Sequence, residues 1–489
     1  MWITQLQNHA QNESYNKLIY IKSFILGVLF LGSSCENFLD VHPKGEVTGK
    51  ELLKDRKGFE NALYGVYATM RNQTLYGRYL SYYTLDVMAQ YYTSFGNTYV
   101  SELRAFNYKQ TDVETEFYNI WCKMYNNISN VNNILENLDN ISASSLKYYP
   151  IYKGEALGLR AFMHFDLLRI FSEQITQNPE AAGIPYATQF SLTAPEFLKA
   201  KDVYTRIKND LKEAEKLLND PELYSSATAI DNYLKDQSTH FNLQAVQGTL
   251  ARVYLTENNI DSALYYAEQV INSQKQSLLK KTELKDAFAG ILSPKETIFG
   301  LYYKGFYDNV LKDLYQSITF YSLDPRYNIE NIYQQNRTGN DYRWDEWFIP
   351  ASQTSATRLK KITDIYQLNN KPCPAEVIQG INLIRLPEMY YIASEAALLK
   401  GDYPTALNYF NQVLESRGLT ALDDRIPAET LTIDRIDEER YKEFIGEGQS
   451  FFHMKRRHLD IQDADGQLIK ASPKIYNIEI PEQEFDYRK

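Results

Sequence analysis

Cysteine is scarce: Cys35, Cys122 and Cys373 are the only three in 489 residues. That count excludes a disulfide-dense scaffold and any four-cysteine zinc site. Stability must therefore come from packing. A bridge between Cys122 and Cys373 stays open after export, although a free cysteine is commonly just a small buried residue. Excess positive charge is also lacking, since 52 Lys and Arg against 62 Asp and Glu leave a net charge of −10. Nucleic acid is thereby excluded as principal partner, because phosphate binding needs a basic field. Tryptophan is rare at 4, yet 40 Tyr and 23 Phe raise the aromatic share to 14%. So many tyrosines must lie partly at the surface, where an amphipathic ring suits polar ligands with apolar faces.

Catalytic and metal signatures are missing too. The chain has no phosphate loop, nucleophile elbow or His-Glu-x-x-His helix, so an enzyme reading rests on no residue and no cofactor is implied. Asp463 to Gly466, DADG, imitates a calcium loop, but Ile461 stands where the first ligand Asp belongs. His453 and His458 in HMKRRH are five apart rather than the four of a helical zinc pair. The basic residues between them read as a solvated face.

Long hydrophobic runs are absent apart from one near the start. Lys17 and Lys22 precede the uncharged stretch Ser23 to Ser34, too short for a membrane span of about 20 apolar residues and of the length of a secretory core. Gly32, Ser33 and Ser34 then lead into Cys35. The stretch resembles a bacterial lipoprotein signal, which makes residues 1–34 a removed leader and Cys35 the lipidated mature N-terminus.

Beyond residue 35 the apolar residues recur mainly at helical spacing, with strand-like patches such as Glu296 to Tyr303, so the fold is expected to be mainly α. Phe59, Leu63, Val66, Tyr67 and Met70 form one stripe, and a longer one runs from Phe117 to Leu138. Glu155 to Phe171 is apolar on nearly every face, as a helix buried on several sides would be. An internal repeat at a constant offset of 143 lays Ala263 and Val270 over Ala406 and Val413. Each copy follows another helix, Leu243 to Leu255 or Leu386 to Leu399, across a short polar turn. Such hairpins, with alanine at the crossings, have tetratricopeptide character. Two long polar, aromatic-rich insertions, Tyr76 to Phe106 and Gly305 to Pro374, interrupt the hairpins, and function belongs in such loops more than in the frame.

Four segments together resemble the SusD/RagB family of nutrient-binding outer-membrane lipoproteins. They are Gly154 to Tyr186 (GEALGLRAFMHFDLLRIFSE leading to GIPY), Ile384 to Val413 (IRLPEMYYIASEAALLKGDYPTALNYFNQV), Asp437 to His458 (DEERYKEFIGEGQSFFHMKRRH) and YNIEIPEQEF near the end. The resemblance covers nearly all of the mature chain. It implies a helical fold built on four tetratricopeptide-like helix pairs, with long loop insertions and minor strands. Regions 35–235 and 236–489 are expected to form one compact unit. It also implies a surface-exposed lipid anchor in the outer membrane and no catalysis. The implied partner is a SusC-like TonB-dependent transporter, and the implied ligand an oligosaccharide. Peptide capture by the same architecture is the alternative, and a tetratricopeptide-like scaffold for protein partners is one of another class. The motif residues Arg160, Arg385, Glu388, Glu395, Arg440, Glu443 and Glu447 read as structural, because charges inside apolar helices need partners.

Sugar recognition needs flat aromatic faces beside amides, carboxylates or guanidinium. Two clusters qualify: Tyr82, Tyr83, Tyr91, Tyr92, Phe95, Asn97 and Tyr99, then Asp341, Tyr342, Arg343, Trp344, Asp345, Trp347 and Phe348. From these, Tyr91, Tyr92, Asn97, Tyr342, Arg343, Trp344 and Trp347 are the candidate ligand contacts. Against that stands the plainer reading that loop aromatics plug back into the core.

Overall fold

The structure, a computed structural model, describes residues 52–486 except 93–97, 221–231, 281–282, 284–291, 294, 311–312, 314–328, 335–339, 351–356, 364–365, 367–370, 375–376 and 464–465. Residues 1–34, expected to be a leader, and Cys35, Phe95 and Asn97 lie outside the described residues. From Leu53 onward the chain is one compact unit.

Ten helices of eight residues or more carry the described architecture: α1 Arg56–Met70, α2 Thr111–Asp139, α3 Tyr149–Phe171, α4 Ala200–Leu218, α5 Leu243–Thr256, α6 Ile260–Asn272, α7 Leu386–Leu399, α8 Tyr403–Ser416, α9 Ile433–Glu443 and α10 Ser450–Arg457. They pack as α1 on α2, α3 on α4, α5 on α6 and α7 on α8. The fold is thus mainly α, as expected from the spacing. The repeat is literal, because α5 and α6 start and α7 and α8 start at positions related by the offset read from sequence. Ala263 and Ala406, equivalent in the two copies, are both fully buried at the helix crossings.

Local signals set these boundaries. Asp55 accepts from the Gly58 N–H at 2.9 Å, Asn242 from Ala245 at 2.9 Å, and Asp402 from Thr405 at 3.2 Å, each cap being worth about 1 kcal/mol. Pro387 and Pro404 sit in the first turns of α7 and α8, where no N–H is needed. Helix α3 is buried along nearly its whole length, which explains its apolar circumference. Its Gly158 lies so close to α5's approach that a Cβ there would be 2.4 Å from Phe241 Cδ1.

The strand Thr297–Tyr302 pairs antiparallel with Gly380–Arg385, Thr297 opposite Arg385. It closes the base of the second insertion and delivers Arg385 to the motif helix α9. There Arg385 meets Glu443, Glu447 and Glu296, and Arg417 meets Glu443 and Glu296 again, all within 3.1 Å. Arg160 pairs bidentately with Asp210 at 2.7 and 2.8 Å, Glu388 with Arg252, and Glu395 with Arg456 at 2.7 Å. Cys122 and Cys373 are not joined by a disulfide.

Candidate functional site

The expected exposure of the two aromatic clusters is largely corrected by the structure. Trp347 is fully buried with Lys361 Nζ 4.2 Å from its ring centroid, and Trp344 stacks on Phe348 at 5.0 Å with planes 24° apart. Arg343 is fully buried, donating to Asp341 at 2.9 Å, Glu439 at 2.6 Å and Glu443 at 3.3 Å. Tyr342 is half-buried and its backbone N–H donates to the Arg417 carbonyl at 2.9 Å. Tyr92 is buried, and Tyr91 is buried flat against Tyr441, with centroids 4.3 Å apart and its hydroxyl on Ser450 Oγ at 2.6 Å. The physical reason is shared: these loops are long enough to fold back, and burying a Trp or Tyr ring removes 150–250 Å² from water.

Three tyrosines of the first insertion do line an open cleft of about 320 Å³. Tyr79, Tyr83 and Tyr99 face Asp112, Thr115, Glu116 and Asn119 on the first turns of α2. Spacing on α2 explains the far wall, since 112, 115, 116 and 119 fall on one helical face. Tyr83 and Tyr99 stack with centroids 6.0 Å apart and planes 25° apart, and Tyr79 tilts against Tyr83 at 5.8 Å. Arg78 lies 3.9 Å over the Tyr83 ring and is held there by Asp313 at 2.9 Å. Tyr82, behind them, also donates to Asp313 at 2.8 Å.

At the floor sits Glu116, 5% exposed. Thr84 Oγ1 and the Tyr99 hydroxyl donate to its two oxygens. Burial pushes its carboxyl up to about 7, against the opposing pull of those hydrogen bonds and of Arg78. Burial and the Glu116 charge together push the Tyr99 phenol well up, so it remains a donor. The cleft therefore offers the half-buried rings of Tyr79 and Tyr99, with the buried Tyr83 ring behind them, beside exposed Asp112 and Asn119, apolar faces next to hydroxyl-binding groups. Tyr83 and Tyr99 were legible in the sequence cluster. Glu116 and Asn119 were not, because they lie on a helix whose other face reads as core.

Paired helices forming a rigid frame, with a polar aromatic cleft at the edge of an insertion, define a helical binding protein. Residues 37–255 match the family model described as starch-binding associating with outer membrane, and residues 294–489 match the SusD family model. The chain belongs to the SusD/RagB family, a family of binding proteins associated with the outer membrane. A SusD-like protein of Formosa agariphila is 23% identical over 92% of each chain. Among solved structures, a SusD superfamily protein of Bacteroides fragilis superposes with a TM-score of 0.71 at 21% identity, covering 89% of this chain and 98% of that one. A SusD-like carbohydrate-binding protein of Bacteroides vulgatus gives 0.69 at 20%, covering 89% and 97%, and a laminarin-binding SusD-like protein gives 0.63 at 18%, covering 89% and 98%. At these identities the likeness establishes the fold.

Proposed function

We propose that this protein captures oligosaccharide at the cell surface, held to the outer membrane by lipid on Cys35, and passes it to a SusC-like TonB-dependent transporter. The observation that carries the reading is the cleft where Tyr79, Tyr83 and Tyr99 stand over Glu116, with Asp112 and Asn119 at its rim. Rings of this kind cover the C–H face of a pyranose while the carboxylates and amide take its hydroxyls. Ligand contact is assigned to this cleft, and Arg343, Trp344, Trp347 and Tyr91 to the frame that shapes the insertions. The laminarin-binding relative supports a glycan as ligand class. Among the described residues no helix is long and apolar enough to cross a membrane, which accords with a lipid tether. Tethering beside the transporter raises the local ligand supply, so modest affinity suffices.

Calorimetry with a panel of β- and α-glucan oligosaccharides tests the site. Tyr99→Ala and Asn119→Ala are expected to weaken binding at least about tenfold, roughly 1.4 kcal/mol, with helical content unchanged. Binding that survives both changes undiminished removes the cleft as the site. Indifference to every glycan removes the ligand class. A diacyl or triacyl mass on Cys35 in the native protein tests the anchor, and co-purification with a barrel transporter tests the partner.

A further inference from the structure

The HMKRRH run lies only in part on a solvated face: His458 is exposed and Arg457 partly so, but His453 and Lys455 are buried. Lys455 is 3% exposed and turns inward from α10. Where α3, α5, α7, α9 and α10 converge, a cavity of about 40 Å³ is bordered by Arg169, Arg252, Glu388, Arg440, Lys455 and Arg456. Four arginines and Lys455 thus face one carboxylate. Adding the carboxylates bonded to those residues outside the cavity wall, Asp166 on Arg169 and Glu395 on Arg456, still leaves four arginines against three carboxylates, before Lys455 is counted.

The donors tell the same story atom by atom. Arg252 spends Nε and Nη2 on Glu388 at 2.8 and 2.5 Å, but its Nη1 is buried with no hydrogen-bond partner. Arg169 donates through Nη1 to Gln449 at 3.2 Å and through Nη2 to Asp166, leaving Nε buried and unmet. Arg440, 6% exposed, comes no closer to Glu388 than 3.7 Å, and both its Nε and Nη1 are unmet. Lys455 Nζ donates to the carbonyls of Ile170 and Ser172 at 3.2 and 2.7 Å. Burial, reinforced by Arg169, pushes Lys455 down to about 7. Burial and Arg456 likewise lower Arg440.

Four guanidinium nitrogens without acceptors, on three arginines that border one small cavity, are destabilising, since an unmet buried donor forfeits its hydration and an uncompensated charge forfeits more. An acceptor carrying negative charge resolves both deficits at once. The space exceeds the roughly 10–15 Å³ that one water requires, and a monatomic anion makes the least demand on it. We propose that this cavity is a buried halide site, occupied by chloride, in which the guanidinium N–H groups of Arg169, Arg252 and Arg440 bind the anion and tie α9 to α3 and α5. The site is separate from the glycan cleft and stands whether or not that reading holds.

Crystals of the mature chain grown in bromide test it directly. An anomalous peak in contact with Arg169 Nε, Arg252 Nη1 and Arg440 Nη1 is expected. Water density there without anomalous signal overturns the proposal. In solution, Tm measured in gluconate buffer at fixed ionic strength is expected to rise saturably as chloride or bromide replaces gluconate. Arg440→Lys, which keeps the charge but loses the two unmet N–H groups, is expected to abolish most of that rise while folding by circular dichroism. A flat response in the natural chain, or a full response in a folded Arg440→Lys, counts against the halide. Should that variant fail to fold, the bromide map alone decides.

Discussion

Arg385 Nη1, at the end of the strand Gly380–Arg385, lies 2.9 Å from Glu443 Oε1 on α9, and the two side chains are 1% and 0% exposed. Arg417 reaches the same carboxylate at 2.8 Å and Arg343 at 3.3 Å. Three elements far apart in sequence are thus joined at one glutamate. Burial alone would push its carboxyl up, but Arg417 and Arg385 outweigh that and hold it far below the usual range.

Removing that charge takes a shared carboxylate from three buried guanidinium groups, leaving Arg417 with Glu296 alone. Glu443→Gln is expected to cost about 3–5 kcal/mol, the range for breaking a buried ion pair from one side. Urea denaturation of the variant checks this. A loss under about 1 kcal/mol means the arginines find water or another carboxylate and that the network is not holding the strand to α9.

Glu116 predicts a pH dependence of opposite sign. Its folded value of about 7 lies above the ordinary 4.5, so the unfolded chain releases its proton first. The stabilising contribution is complete below about pH 4 and is lost as pH rises to 7. Relative to Glu116→Gln, the natural chain is expected to lose roughly 3 kcal/mol between pH 4 and pH 8. Parallel stability curves for the two proteins across that window contradict the assignment.

Two helical glycines separate close packing from mere tolerance. Gly158→Ala drives a methyl to 2.4 Å from Phe241, whereas at Gly248 the nearest atom is Ile384 Cγ2 at 3.4 Å. The first is expected to destabilise by about 1–3 kcal/mol. The second should be neutral or gain up to about 1 kcal/mol from helix propensity. Thermal unfolding of both variants gives the comparison, and equal effects would show that α3 has room to shift.

Trp121, Trp344 and Trp347 are 2%, 6% and 0% exposed. Apart from Trp2 they are the only tryptophans. Acrylamide is expected to quench their emission weakly, and glycan binding at the Tyr79 cleft to leave it nearly unchanged. Strong quenching by acrylamide would place at least one indole at the surface.

Much of the frame was legible before any coordinates. The stripe from Phe59 to Met70, the apolar circumference of α3 and the offset between α5–α6 and α7–α8 each follow from the 3.6-residue period, which is a local property of sequence. The cleft was half legible. Tyr83 and Tyr99 stand in an aromatic cluster that draws attention, but Asn119 and Glu116 share a helix with Phe117 and Ile120, and nothing in their spacing says which side faces a ligand.

The sequence by itself determined where helices begin, which faces are apolar and that two hairpins repeat, because caps, prolines and periodicity act within a few residues. Tertiary structure alone decided that Trp344, Trp347 and Arg343 turn inward, that HMKRRH presents Lys455 to the interior, and that Glu443 gathers arginines from positions 343, 385 and 417. The reason is physical: whether a ring or a charge in a long insertion meets water or protein depends on partners dozens to hundreds of residues away. A polar, aromatic-rich loop has the same composition in either case.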